Sequence, residues 1–385
     1  MIDQPDPLDL PVQPDPPVLR RSPLHDEHVA LGASFTDFAG WQMPVRYSSD
    51  LAEHHAVRQT AGLFDISHMA EIAVTGAGAA MFLDGALAGR LSALAVGRAK
   101  YSLVLNEHAG IIDDLIVYRR ADDDYLVVAN ASNRDAVVAA LTERADGSVA
   151  LDDQTDRIAL IALQGPAAAA ILAETPGLEI DALEALRYYA YSDGAFAWGD
   201  ARTDVMVART GYTGEDGVEL YLPVEHAAAL WRALLAAGQA HGLVPAGLAA
   251  RDTLRLEAGM PLYGHELGLS IQPVQAGLGR VVVTAKEQFV GKAAVERGPG
   301  DAAPVLVGLA AEGRRAARAG YPVMSGAEVV GQVTSGALSP TLGHPIAMAF
   351  VHPDHAAIGA VLDLDVRGSR IPATVVTLPF YSREA

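Results

Sequence analysis

Two adjacent carboxylates, Asp113 and Asp114, interrupt an otherwise apolar run, Gly110-Ile111-Ile112-Asp113-Asp114-Leu115-Ile116-Val117-Tyr118. Successive strand residues point to opposite faces, so the run predicts one carboxylate toward an interior or cavity and its neighbour outward. A desolvated carboxylate is costly without a partner. Two outcomes stay open: satisfaction by backbone amides as a turn cap, or a site where positive charge develops during reaction. The glycine-rich turn Gly211-Tyr212-Thr213-Gly214-Glu215-Asp216-Gly217 is a second candidate. It lacks the Lys of a phosphate loop, and its carboxylates would repel phosphate. They would suit a donor–donor edge, such as the ring N–H and exocyclic amino group of a pterin or purine. An exposed acidic turn explains the same residues more simply.

Other motifs mainly exclude. Val74-Thr75-Gly76-Ala77-Gly78-Ala79-Ala80-Met81 begins like a dinucleotide fingerprint, but Met81 stands where the third glycine belongs, so it reads as a plain strand-to-helix turn. His54 and His55 lie ~100° apart on a helix and cannot share a metal as an i, i+4 pair would. No His-Glu-x-x-His or Gly-x-Ser-x-Gly is present, which disfavours metallohydrolase and α/β-hydrolase chemistry. The 385 residues contain no Cys, so disulfides, Cys-zinc sites, iron–sulfur ligation and thiolate nucleophiles drop out together. A net charge of -19 opposes contact with a nucleic-acid backbone, and the scattered acidic residues read as a solubilising surface.

The elements that must position these residues follow from periodicity. Helical spacing marks Leu24–Leu31 and Asp50–Arg58, with Gly40 and Pro44 in a loop between them. Strand-like runs at 71–74, 99–105, 111–118 and 125–129, with helices at 79–88 and 134–145, predict one antiparallel α+β unit. Strands at 158–163, 196–198, 205–209 and 218–222, with helices at 167–173, 225–241 and 247–256, predict a second. From Pro304 onward, short strands between Gly and Pro turns predict a small β-barrel or sandwich, joined by a linker at 290–303. No stretch approaches the ~20 apolar residues of a membrane span. Residues 1–19 hold four Asp, six Pro and no Lys or Arg, which predicts a disordered acidic tail and a cytoplasmic protein.

Several blocks, in order over about residues 20–383, resemble the glycine-cleavage T-protein family of folate-dependent aminomethyltransferases. They are Asp37-Phe38-Ala39-Gly40-Trp41, Gly62-Leu63-Phe64-Asp65-Ile66-Ser67-His68-Met69, the 110–118 run, Leu163-Gln164-Gly165-Pro166, the stretch 209–217, Gly247 through Glu257, Leu262-Tyr263-Gly264-His265-Glu266 and Leu378-Pro379-Phe380-Tyr381. The resemblance implies an α+β, three-domain cloverleaf around a central folate channel. Its two α+β domains have antiparallel sheets, and its C-terminal domain is a β-barrel or jelly-roll-like fold. The implied division is a folate-binding domain at 20–62 and 151–289, a second domain at 63–150 carrying the catalytic Asp, and the barrel at 290–385.

The implied reaction moves the methylene of an aminomethyl group, carried on the lipoyl arm of an H protein, to tetrahydrofolate. Ammonia and dihydrolipoyl H protein leave, and no metal, membrane or nucleic acid takes part. Carried over by resemblance, Asp114 is the catalytic carboxylate, Glu215 the pterin-binding carboxylate and Arg251 a folate-contacting arginine, with Tyr101, Asn130 and Tyr381 beside them. In the family an acidic residue and Thr-Asn-Pro usually follow Tyr-Gly-His-Glu; here Leu267 through Arg280 depart from that pattern. This departure keeps a second expectation open, a folate-dependent demethylase of a small N-, S- or O-methyl substrate such as dimethylglycine. Arg314, Arg315 and Arg318 could meet carboxylates on an H protein, although a solvated basic loop is the simpler reading.

Overall fold

The computed structural model describes residues 18–383, so the tail expected at 1–19 lies almost wholly outside the described residues. A seven-stranded sheet orders Leu178–Ile180, Tyr191–Trp198, Ala201–Ala208, Gly217–Pro223, Ile158–Gln164, Ala61–Asp65 and Leu243–Pro245. Its pairs are antiparallel except the last, where Leu243–Pro245 runs parallel to Ala61–Asp65. A five-stranded antiparallel sheet orders Ala99–Leu105, Ile111–Ala121, Asp124–Ala129, Ala70–Thr75 and Ala150–Asp153. Six strands between Val305 and Val376 close into a barrel. Among the described residues, no helix is long and apolar enough to cross a membrane.

Burial on both faces explains why the central strands read as continuous apolar runs. Val74, Leu115, Val117 and Val127 pack with Leu83 and Leu141 of the helices Ala79–Ala86 and Arg134–Arg144. The opposite face carries Tyr118, Leu126 and Val128, which pack with Phe64, Leu160, Ala162 and Tyr221 of the larger sheet. The two sheets thus meet face to face.

The expected divisions at 62/63 and 150/151 each cut a strand. Ala61–Asp65 is buried along its whole length and pairs with Ile161–Gln164, so it belongs to the seven-stranded sheet. Ala150–Asp153 pairs with Ile72–Thr75 and belongs to the five-stranded one. The loop expected around Gly40 and Pro44 is a hairpin, Ser34–Phe38 with Trp41–Arg46. Its turn takes positive φ at Ala39 and Gly40, and Pro44 is accommodated where the register shifts opposite Phe35. Inside the expected linker, Lys292–Arg297 is helical. Just before it, the Lys286 ammonium donates to the carbonyls of Asp84, Leu87 and Gly89, near the C-terminal end of the Ala79–Ala86 helix.

One buried carboxylate ties the barrel to the rest. Glu257, at the end of the helix Leu248–Glu257, accepts from Arg58 Nη2 at 2.8 Å, from the Thr341 amide at 3.0 Å and from the Ser339 hydroxyl, and meets His54 Nε2 at 3.2 Å. Burial alone would raise its pKa; the hydrogen bond and charge of His54, with Ser339 and Thr341, override it and hold Glu257 at about 2.

Glu71 is the opposite case. It is fully buried in the strand Ala70–Thr75, and neither carboxylate oxygen has a partner among the described residues. Burial first and the charge of Asp153 second push its pKa well above the ordinary value, against a lowering by Arg134. The folded state therefore keeps a proton that the unfolded chain loses, and stability falls as pH rises from the unfolded pKa toward the folded one. Glu71→Gln is expected to flatten that falling limb of melting temperature against pH above about pH 4.5. Melting curves with the same slope for both proteins would contradict this.

Candidate active site

The strand Ile111–Ala121 delivers its two carboxylates to different places. Asp113 is fully buried on the face turned toward the helix Arg134–Arg144. Its oxygens accept from the Asn130 amide and Asn130 Nδ2, both at 2.9 Å, and from Asn133 Nδ2 at 2.6 Å. Asp114 turns to the inter-sheet face, where Tyr101 OH donates to Oδ2 at 2.9 Å and Asn130 Nδ2 to Oδ1 at 2.8 Å. The expectation that one carboxylate faces outward is corrected: the helix side of the sheet is as dry as the cavity side, so Asp113 is capped by amides. Asp113 thus realises the capped alternative, and Asp114 is the one of the pair that lines a cavity.

Register explains the meeting of these groups. Asp114 lies opposite Leu103, and Leu115 opposite Ala129, which places Asn130 one step beyond the strand end and beside both carboxylates. Tyr101 lies opposite Ile116, two residues from Asp114 on the same face. Burial raises the pKa of Asp114, against the hydrogen bonds from Tyr101 and Asn130. For Asp113, burial and then the charge of Asp114 raise it, while the Asn130 and Asn133 amides lower it.

Asp114, Tyr101 and Asn130 line a cavity of about 280 Å³ between the two sheets, close to the lower end of small-molecule sites. Ile66, Met69, Leu160, Met260, Pro261 and Leu278 provide apolar wall, and Tyr189, Tyr212 and Tyr263 provide aromatic wall. Arg251 enters from the helix Leu248–Glu257, its guanidinium 4.8 Å from the centre of the Tyr212 ring. Burial lowers its pKa, opposed by Tyr212 and Glu219. Its helix neighbour Arg255 pairs with Asp252 and Glu266, whereas Arg251 takes part in no ion pair among the described residues.

Two of the expected residues lie elsewhere. Glu215 is not in the cavity wall, because its carboxylate is taken by Arg58 Nη1 at 2.9 Å. Tyr381 stacks on the other side of this arginine, with the guanidinium 4.1 Å from its ring centre. Arg58 also reaches Glu257 and the Thr213 carbonyl, so Glu215 and Tyr381 belong to the joint that carries the barrel. Arg314, Arg315 and Arg318 are exposed on the barrel, away from the cavity lining.

The carboxylate in the cavity wall, opposite the expectation for Glu215, is Glu219. It sits in Gly217–Pro223, inside a run read as apolar strand. It is a single acid between Val218 and Leu220, without the adjacent partner that marks Asp113 and Asp114. Burial raises its pKa against hydrogen bonds from Thr210 and Tyr221 and the charge of Arg251.

Comparison with known proteins gives this arrangement a family. Residues 24–286 match the GCVT N-terminal domain, and residues 305–382 match the glycine cleavage T-protein C-terminal barrel domain. The chain belongs to the glycine-cleavage T-protein family. An aminomethyltransferase from Cutibacterium acnes is 57% identical over 372 residues, covering 95% of this chain and 99% of that protein. One from Streptomyces coelicolor is 55% identical over 373 residues, covering 95% and 98%. The crystal structure of the glycine cleavage system aminomethyltransferase T from Bartonella henselae superposes with a TM-score of 0.84 at 39% identity, covering 94% of this chain and 98% of that one. As a member of this family the chain is an aminomethyltransferase.

The two Asp residues should separate by assay. Asp114→Asn is expected to lower kcat by ~10²–10³ with the melting temperature nearly unchanged. Asp113→Asn places an amide against the Asn130 and Asn133 donors and should cost roughly 1–3 kcal/mol of stability. Equal melting temperatures for the two variants, or an unchanged kcat in Asp114→Asn, would contradict the assignment.

Proposed function

We propose that this chain transfers the methylene of an aminomethyl group, carried on a lipoylated H protein, to tetrahydrofolate. The reading is supported above all by two recognition features sharing one cavity with Asp114: the Glu219 carboxylate and the unpaired Arg251. Glu219 takes the role expected of Glu215. One of its oxygens has no partner among the described residues and can accept from the ring N–H and exocyclic amino group of a pterin. Arg251 meets a carbonyl or carboxylate of the same substrate, and the tyrosines pack against its rings. In this division the seven-stranded unit binds folate and the five-stranded unit supplies Asp114.

Both reactants are carried in, so no protein nucleophile is needed. The C–S and C–N bonds of the aminomethyl thioether break, and the carbon is bonded instead to N5 and N10 of the folate. The protons released from those nitrogens leave on ammonia and on the dihydrolipoyl thiol. Asp114, held by Tyr101 and Asn130, places fixed negative charge where the transferred carbon becomes cationic. Alignment in the cavity supplies the rest, with effective molarities of order 10⁵ M or more for well-oriented reactants.

The test supplies tetrahydrofolate with aminomethylated H protein and follows methylenetetrahydrofolate and ammonia, with dimethylglycine in a parallel reaction. Product with the H protein alone is expected. Product only from dimethylglycine would overturn the reading.

A further inference from the structure

Glu219 does not stand alone in the cavity wall. Thr210 Oγ1 donates to Glu219 Oε2 at 2.5 Å, Tyr118 OH lies 2.9 Å from Thr210 Oγ1, and Tyr221 OH donates to Tyr118 OH at 3.1 Å. Tyr221 OH is also 3.5 Å from Glu219 Oε2, which closes the loop. All four side chains are buried, and only Glu219 lines the cavity. Three hydroxyls have three protons. With Tyr221 donating to Tyr118 and Thr210 donating to Glu219, Tyr118 must donate to Thr210, so each proton points one step closer to the carboxylate. The arrangement is complete only when Glu219 Oε2 is an acceptor.

The loop also crosses between the two units. Thr210, Glu219 and Tyr221 belong to the seven-stranded unit, whereas Tyr118 belongs to the strand that carries Asp114, four residues along on the same face. Among the described residues, Tyr118 is thus the hydroxyl that ties the strand bearing Asp114 to the carboxylate on the far wall.

We propose that Tyr118, acting through Thr210, is a positioning residue for Glu219: it pins Oε2, turns Oε1 into the cavity and fixes the span between Glu219 and Asp114. The inference rests on Glu219 being the carboxylate that receives folate. A free glutamate side chain would rotate about its last torsions, and holding it in one rotamer saves that entropy each time substrate binds. The same tie sets the distance between the group that recognises the substrate and the group that acts on it.

The test is a double-mutant cycle on Tyr118→Phe and Glu219→Gln, read as KM for tetrahydrofolate, kcat and melting temperature. Glu219→Gln alone should raise KM by about tenfold or more, as for a hydrogen bond to a charged group. Tyr118→Phe alone should raise KM about two- to tenfold, with a smaller change in kcat, and should add nothing in the Glu219→Gln background. Additive effects, or an unchanged KM in Tyr118→Phe beside a raised one in Glu219→Gln, would overturn the positioning role alone. An unchanged KM in Glu219→Gln would overturn the folate role of Glu219 and the inference with it. Thr210→Val and Thr210→Ser give the same readout should Tyr118→Phe fail to fold: KM should rise in the first and stay near wild type in the second, and equal values would overturn the proposal.

Discussion

Two carboxylates on successive residues of a strand buried on both faces must each find donors, and Asn130 is the residue that reaches both. Its Nδ2 group lies within hydrogen-bond distance of Asp113 Oδ1 and Asp114 Oδ1, and its backbone amide serves Asp113 Oδ2. Asp113 anchors Asn130 from the helix side, and Asn130 orients Asp114 on the cavity side. This makes Asp113 a support for the carboxylate that lines the cavity. Leaving either without donors would cost the desolvation of a charge, so Asn130 serves the local fold through Asp113 and the cavity through Asp114.

The same economy of charge organises the larger joints. Arg58 joins Glu257 and Glu215 while Tyr381 covers it, which attaches the barrel and its returning C-terminal segment beside the end of the helix that carries Arg251. The hydroxyl loop from Tyr118 to Glu219 joins the two sheets at the cavity itself. Arg251 is the cation that lines the cavity, and among the described residues it has no such ion pair, which suits it to meet a substrate.

Much of this was legible in the sequence. The helices at 50–59 and 248–257 showed through their periodicity, and the paired acids at 113–114 stood out because nothing else polar shares their run. What could not be read depended on which face a second layer covers. Ala61–Asp65 carries no alternation because it is buried on both sides, and one of the two acids was expected to face outward because a strand's period does not say whether a helix lies above it. Glu215 and Glu219 are both acids near one turn, and local spacing gives no reason to choose between them. The choice is made by Arg58, 157 positions away in the chain, which takes Glu215 and leaves Glu219 to the cavity.

On the proposed function, Asp114 serves the charge that develops during transfer and contributes little to holding the bound folate. Calorimetric titration of tetrahydrofolate into the wild-type chain and into Asp114→Asn measures this directly. Closely similar dissociation constants are expected for two proteins whose turnover differs by orders of magnitude. A dissociation constant that rises in proportion to the lost turnover would contradict it.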